Sequence, residues 1–198
     1  IEELVIDEAL AVSLSLSGDQ AAGLSSLDAG NSAVHVHASG SPLDLSPLDV
    51  EGAGDGTLAV HGSSGADDIT GFDIDGLEST ILYEGLAGDD VFHMAGSAVS
   101  SMVTIDGGAG TDVLAVTGGN TVYLDQATLL NVEGLRFDYG TASSSSSVTY
   151  AYVSDAQLAS LSIQGGVGQD RLGVVMQNAG ALDLNAKTPA GWDARDQY

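Results

Sequence analysis

Cysteine is absent from the 198 residues. No disulfide can staple the chain, so packing, hydrogen bonds or metal must hold it. Cations are nearly absent too. Arg136, Arg171, Lys187 and Arg195 stand against 28 aspartates and glutamates, for a formal charge of −24. Binding to the phosphate backbone of nucleic acid is excluded, because it depends on Lys and Arg neutralising phosphates. Anionic membrane surfaces are disfavoured for the same reason. No apolar run approaches the roughly 18 residues that span a membrane. The start, Ile1 to Leu4, lacks the basic region of a signal peptide. Trp192 is the single tryptophan, and the six tyrosines are scattered along the chain.

Against these absences stand many apolar residues, 43% of the chain, enough for a real core and too many for a disordered chain. So large an excess of one charge opposes the compact state. A divalent cation is the simplest offset, and a salty native medium is the bland one. The 27 glycines cluster at recurring spacings, which directs the search to repeats.

Four segments align: Ile81 to Met94, Val103 to Val116, Leu161 to Val174, and a shorter Leu48 to Val60. Each reads apolar-x-apolar, a Gly-rich turn, then apolar-x-apolar. A fifth turn runs from Gly62 to Ile69. Alternation of period two is the mark of a strand with one buried face. Leu48/Val50, Ile81/Tyr83, Val103/Ile105 and Leu161/Ile163 are expected to point inward before the turn. Leu58/Val60, Phe92/Met94, Leu114/Val116 and Leu172/Val174 are expected to do so after it. Asp67, Asp90 and Asp112 recur at almost equal intervals, a spacing at which equivalent strands of successive coils stack in parallel. Asp170 follows only after a much longer gap, with room for two longer coils. Thr121–Leu124, Val132–Phe137 and Val148–Val153 read as strands within that gap, and Ser143–Ser147 as a surface loop. Helical signals are confined to Asp125–Leu130 and Ser154–Leu161, where a capping Asp or Ser precedes an Ala/Leu run.

The expected fold is all-β, a right-handed parallel β-solenoid of one domain over residues 1–198. Residues 1–47 form an N-terminal cap and first coil, and 48–175 the repeat coils with a loop at 140–147. Residues 176–198 form a C-terminal cap or tail. In the first part Leu10–Leu16 and Ala33–His37 alternate well, and Pro42 and Pro47 mark a connector or edge.

At the turns the sequence resembles the RTX, or hemolysin-type calcium-binding, repeat, G-G-x-G-x-D-x-U-x with U apolar. Gly107-Gly-Ala-Gly-Thr-Asp-Val-Leu-Ala115 and Gly165-Gly-Val-Gly-Gln-Asp-Arg-Leu-Gly173 match it completely. Gly85 to His93 and Gly62 to Thr70 each lack the second glycine. Glu51 to Ala59 lacks the first glycine and the aspartate. These motifs cover about a quarter of the chain. In the family they run in tandem; here only residues 51–70 approach that, so the resemblance is to a degenerate, wider coil. It implies a calcium-binding β-helix repeat. The implied Ca²⁺ ligands are Asp67, Asp68, Asp89, Asp90, Asp112 and Asp170, with carbonyls of Gly65, Gly88, Gly108, Gly110, Gly166 and Gly168.

The chemistry agrees with that implication. Calcium takes six to eight oxygen ligands, and a Gly-rich turn exposes carbonyls toward one point. One turn supplies few ligands, so a site would form between stacked turns. The competing reading is that these aspartates cap turns by Asx-type hydrogen bonds and bind nothing.

Rival sites are weaker. His35 and His37 share a strand face and could hold a transition metal only with a further ligand. His61 and His93 each follow a motif strand, His93 facing outward. Glu78 and Glu133 occupy similar corners and could form a general-acid pair, but such glycan-processing sites recruit cations that this chain lacks. Ser-nucleophile, P-loop and Rossmann signatures are absent. The reading that results is a secreted calcium-binding structural or adhesive module at the cell surface, with self-association or neighbouring domains of a larger surface protein as partners. The alternative is an extracellular glycan-binding or glycan-processing domain. An ice-binding face would need ranks of threonine, which Thr104, Thr117 and Thr121 do not form.

Overall fold

In the computed structural model, residues 3–6, 11–30, 32–51, 56–75, 77–117, 121–138, 148–166, 168–177, 189–192 and 196–197 are described. The expected loop at 140–147 and most of the expected tail lie outside them.

Eighteen short strands run through the described residues: β1 Glu3–Val5, β2 Val12–Leu16, β3 Ser26–Asp28, β4 Val34–Ala38, β5 Leu43–Asp44, β6 Asp49–Glu51, β7 Thr57–His61, β8 Asp68–Thr70, β9 Thr80–Glu84, β10 Val91–Met94, β11 Val103–Asp106, β12 Val113–Thr117, β13 Thr121–Tyr123, β14 Thr128–Leu130, β15 Gly134–Asp138, β16 Val148–Ser154, β17 Ser162–Gln164 and β18 Gln169–Val175. They form four sheets, ordered β2-β4-β7-β9-β11-β14, β5-β8-β10-β12-β15-β17, β1-β3-β6 and β13-β16-β18. Pairing between the described strands is parallel throughout. The chain is a β-solenoid of about seven turns with little helix.

The coil length follows from the register. Val12 pairs with Val34, Val34 with Leu58, Leu58 with Ile81 and Ile81 with Val103, so successive coils are nearly equal in length. Such a step carries each inward residue onto an inward residue of the next coil. Leu43, Ile69, Phe92, Leu114, Leu135 and Ile163 consequently stack as one buried file across a whole sheet. A second file runs Val36, Val60, Tyr83, Ile105 and Leu129. Every residue expected to face inward from the four aligned segments is buried except Val174, which is partly buried and packs on the core. Burying a side chain of this kind stabilises by roughly 1.5–3 kcal/mol.

Two differences from the sequence reading matter. First, the four aligned segments do not occupy one corner. Leu48–Val60 runs from β6 in the first short sheet to β7. Ile81–Met94 and Val103–Val116 run from β9 to β10 and from β11 to β12. Leu161–Val174 runs from β17 to β18 in the other short sheet. Glycine-rich turns encode a tight local corner between two strands, not which corner of the coil it is. Second, residues 1–47 hold more than a cap and one coil: β1 and β2 belong to one turn of the solenoid, β3, β4 and β5 to the next.

Short helices stand beside two strand ends. Helix α1, Gly18–Ala22, and helix α2, Asp155–Ser160, each carry a capping box, Ser17 with Gln20 and Ser154 with Gln157. The helical signal at Ser154–Leu161 is thus matched, while Asp125–Leu130 yields only one 3₁₀ turn followed by β14. Gln157 Nε2 donates to the carbonyls of Leu124 and Ala127, tying α2 to the preceding coil. Ala190 and Gln197 bridge to Gln164 and Arg171, so part of the expected tail adds to the last coil.

Candidate functional site

The turns joining β7 to β8, β9 to β10 and β11 to β12 lie one above another. Their closing aspartates stack, and each reaches across to its neighbour. Asp67 N–H donates to Asp90 Oδ1 (2.8 Å), Asp90 N–H to Asp112 Oδ1 (2.9 Å), and Asp112 N–H to Glu133 Oε2 (2.9 Å). The file is buried: Asp67 is 4% exposed, Asp90 1% and Asp112 0%. Glu133, read as a rival acid, is the last member of this file. Glu78 is exposed, two residues before β9. Asp170 is also buried but stands elsewhere. It pairs with Thr149 in the β16–β18 ladder, and its N–H donates to Asp196 Oδ1 (2.9 Å). It is not a member of the file, because its turn occupies a different corner.

The second carboxylate oxygens decide the electrostatics. Asp67 Oδ2 accepts from Ser63 N–H (2.5 Å), and Asp170 Oδ2 from Gly166 N–H (2.6 Å). At Asp112 the equivalent amide, Gly108 N–H, is turned to Asp106 Oδ1 (3.1 Å). Asp90 Oδ2 and Asp112 Oδ2 are buried without a hydrogen-bond partner. An unpaired buried charge of this kind is costly.

The first glycine of each turn shapes a small cradle around that oxygen. A Cβ on Gly85 would run into Asp90 Oδ2 and into the Gly107 carbonyl of the next coil. A Cβ on Gly62 would meet Asp67 Oδ2 and the Gly85 carbonyl, both at 2.8 Å. At Gly107 the same pair is Asp112 Oδ2 and the Asn131 carbonyl. In three successive turns, then, a carboxylate oxygen and a carbonyl oxygen approach one point with no proton between them.

Burial drives the Asp90 carboxyl above its usual 3.8, with the charges of Asp112, Asp67 and Asp89 adding to the rise and the bond from Asp67 N–H opposing it. Asp112 is raised by burial in the same way, helped by Glu133, Asp89 and Asp106 and opposed by the bond from Asp90 N–H. An acid whose folded pKa is raised stabilises the fold fully below about 3.8, and that contribution is lost as pH rises through the folded value.

The remaining implied ligands are placed differently. Asp68 Oδ1 pairs with His93 Nε2 (3.1 Å), and Asp89 Oδ1 accepts from Thr111 N–H (2.9 Å). Both carboxylates face outward from the buried file. Gly88, Gly108, Gly110 and Gly168 have positive φ; Gly65 and Gly166 are not among the positive-φ residues. Among the described residues no group of three carboxylates or imidazoles is arranged to hold a metal. The residues therefore fit calcium in part. The cradles at Gly85 and Gly107 each pair one unpartnered carboxylate oxygen with a carbonyl oxygen, well short of six to eight, so any ion held there would keep much of its water.

The histidines come together on the outer face of the β4–β7–β9 sheet. His35 Nδ1 and His61 Nε2 share a hydrogen at 3.0 Å, and His61 Nδ1–H donates to Glu84 Oε2 (2.7 Å). The His37 ring stacks on His61 at 4.6 Å. His37 is held below its usual 6.5 by burial first, then by the charges of His61 and His35. Its sign is opposite to that of the aspartates: the stability it contributes is present above about 6.5 and is lost as pH falls.

One pH series separates the two groups. In calcium-free buffer, His37→Gln is expected to lose less stability than the parent as pH falls from 7 through about 6. Asp90→Asn with Asp112→Asn is expected to gain less on further acidification toward about 4. Thermal melts across the series check both. Parallel curves for parent and variants would refute the assignment.

Sequence reasoning missed a further cluster. Tyr123, Tyr150 and Tyr152, scattered in the sequence, gather with Arg171 on the β13-β16-β18 sheet. Its signal was the period-two spacing of Tyr150 and Tyr152. No protein-family model matches this chain, and no curated protein or solved structure matches it either.

Proposed function

We propose that the chain is a secreted calcium-binding structural module, a solenoid segment of a cell-surface layer, filament or large adhesin. One observation carries the reading: the buried file Asp67–Asp90–Asp112, closed at one end by the exposed Glu133, in which two carboxylate oxygens lack partners and face carbonyl oxygens. The resemblance of these turns to the RTX repeat and the charge of −24 point the same way. Bound calcium would supply positive charge between like-charged oxygens. Asp90 and Asp112 would hold it, and the N–H bonds to their Oδ1 atoms fix the carboxylates in place. Binding would then be part of the folding energy. With extracellular-type affinities of 10⁻⁴ to 10⁻³ M, about 10 mM calcium would add roughly 1.4–2.7 kcal/mol per site.

A second reading rests on the same bonds. The Oδ1 atoms already accept amide hydrogens from the next coil, so the aspartates cap the stack whether or not an ion is present. The experiment is a thermal melt by circular dichroism in about 10 mM calcium against EGTA. A melting temperature indifferent to calcium leaves the capping reading alone. Light scattering against concentration tests assembly, and a monodisperse monomer in both buffers would refute the filament.

A further inference from the structure

The cross-strand register sets two outward files on the β13-β16-β18 sheet. One runs Thr121, Tyr150, Arg171 and Gln197; the other runs Tyr123, Tyr152 and Gly173. In the second file the Tyr123 and Tyr152 rings stack at 5.2 Å and 14°. Gly173 supplies no side chain, and the Tyr152 ring lies over the space a Cβ there would fill. Tyr123 ends the stack and is 48% exposed. In the first file the Arg171 guanidinium sits 5.2 Å from the Tyr150 ring centre, and its Nη1–H donates to Tyr150 Oη (2.9 Å). A cavity of about 230 Å³ opens between Tyr150, Tyr152, Arg171, Leu172, Gly173 and Gln197.

Arg171 is the informative member. The chain carries 28 carboxylates, yet among the described residues none pairs with Arg171, whereas Arg136 pairs with Asp138 at 3.2 Å. Its Nε–H is buried with no acceptor. A buried, unanswered donor in a chain so rich in acceptors marks a place for an oxygen from outside. Beside it lie aromatic rings, whose negative faces attract the weakly positive C–H groups of a saturated ring. Oxygen acceptors and a C–H face on one small molecule describe a sugar.

We propose that this face binds a glycan, and that the sugar is neutral. The chain's field repels a polyanion, while a neutral sugar brings hydroxyl oxygens to Arg171 without that opposition. One hexose seated over Tyr152 and Gly173 accepts from Arg171 Nε–H and hydrogen-bonds Tyr150 Oη and the Gln197 amide. The next sugar along the chain rests on Tyr123. The proposal is independent of calcium, since no residue of the buried aspartate file takes part.

The test is NMR on the intact chain, following the Arg171 Nε–H signal and the tyrosine ring signals during titration. The probes are a hexasaccharide of β-linked glucose and an oligogalacturonate of equal length. The neutral sugar is expected to shift the Arg171 Nε–H and the Tyr123 and Tyr152 rings. Arg171→Gln and Tyr123→Ala are each expected to weaken binding about ten-fold or more with the melting temperature held. Tyr123→Ala removes an exposed ring and serves as the variant least able to disturb folding. No shift by about 10 mM of the neutral sugar overturns the proposal, as does binding of the galacturonate alone. Shifts at residues remote from this sheet would overturn it too.

Discussion

Replacing both Asp90 and Asp112 by asparagine is expected to raise the melting temperature in calcium-free buffer and to abolish the rise that calcium brings. The two oxygens of each carboxylate play different parts. Asparagine keeps Oδ1, so it still accepts Asp67 N–H and Asp90 N–H across the coils. In place of the unpaired Oδ2 it puts an Nδ2–H₂ group. Next to Asp90 that donor faces the Gly107 carbonyl, and next to Asp112 the Asn131 carbonyl. Two buried oxygens that repel become a donor and an acceptor. A buried polar group left unpaired costs about 1–3 kcal/mol. At this chain length each kcal/mol is worth about 2–4 °C, so the double variant should melt several degrees higher than the parent in EGTA. In about 10 mM calcium the order should reverse or close, because the variant has lost the charge that holds the ion. Melts of both proteins in both buffers read this out. If the variant melts lower than the parent in EGTA and still responds to calcium, the cradle has been misread.

Gly110→Ala should be the most damaging single change among the turns. Gly110 has φ +153°, a backbone conformation that side chains rarely adopt, and an added Cβ would collide with the Gly88 carbonyl oxygen of the preceding coil. The obstacle is backbone and cannot swing away, so the coils must part locally or the turn must rearrange. Strain at such a φ together with a backbone clash places the loss at about 3 kcal/mol or more, roughly 6–12 °C in melting temperature. Gly40→Ala is the control, since a Cβ there meets nothing within 4 Å. Equal melting temperatures for the two variants would show that the coils are not packed this closely at Gly110.

Strand alternation and coil length were legible because they are local and repetitive. Ile81/Tyr83 and Phe92/Met94 announce their inward faces by period two, and the spacing of Asp67, Asp90 and Asp112 announces the stacking step. The corner at which each turn sits was not legible. Asp170 follows a motif as good as that of Asp112, yet the longer coils before it shift its turn to another sheet. The direction of the carboxylates was hidden as well. A motif names an aspartate, but only the packed coils show its Oδ1 capping the amide of the neighbouring aspartate. Helix α1 was missed although Ser17 and Gln20 write its capping box, because so short a helix gives no period. The tyrosine–arginine face was unreadable for a third reason. Thr121 lies opposite Tyr150 and Tyr150 opposite Arg171, so the face is assembled by two coils of unequal length, and no local pattern specifies either length.

The register also governs how the molecule yields to force. With every described pairing parallel and each strand bonded only to the coil before and after it, tension on the two termini finds no interface to shear as a block. The outermost turn peels first, one ladder at a time, and exposes a similar edge beneath it. A central turn, such as that from Leu58 to Ile81, releases about 70–85 Å of extended backbone. A tether built this way lengthens in steps and absorbs work at each one.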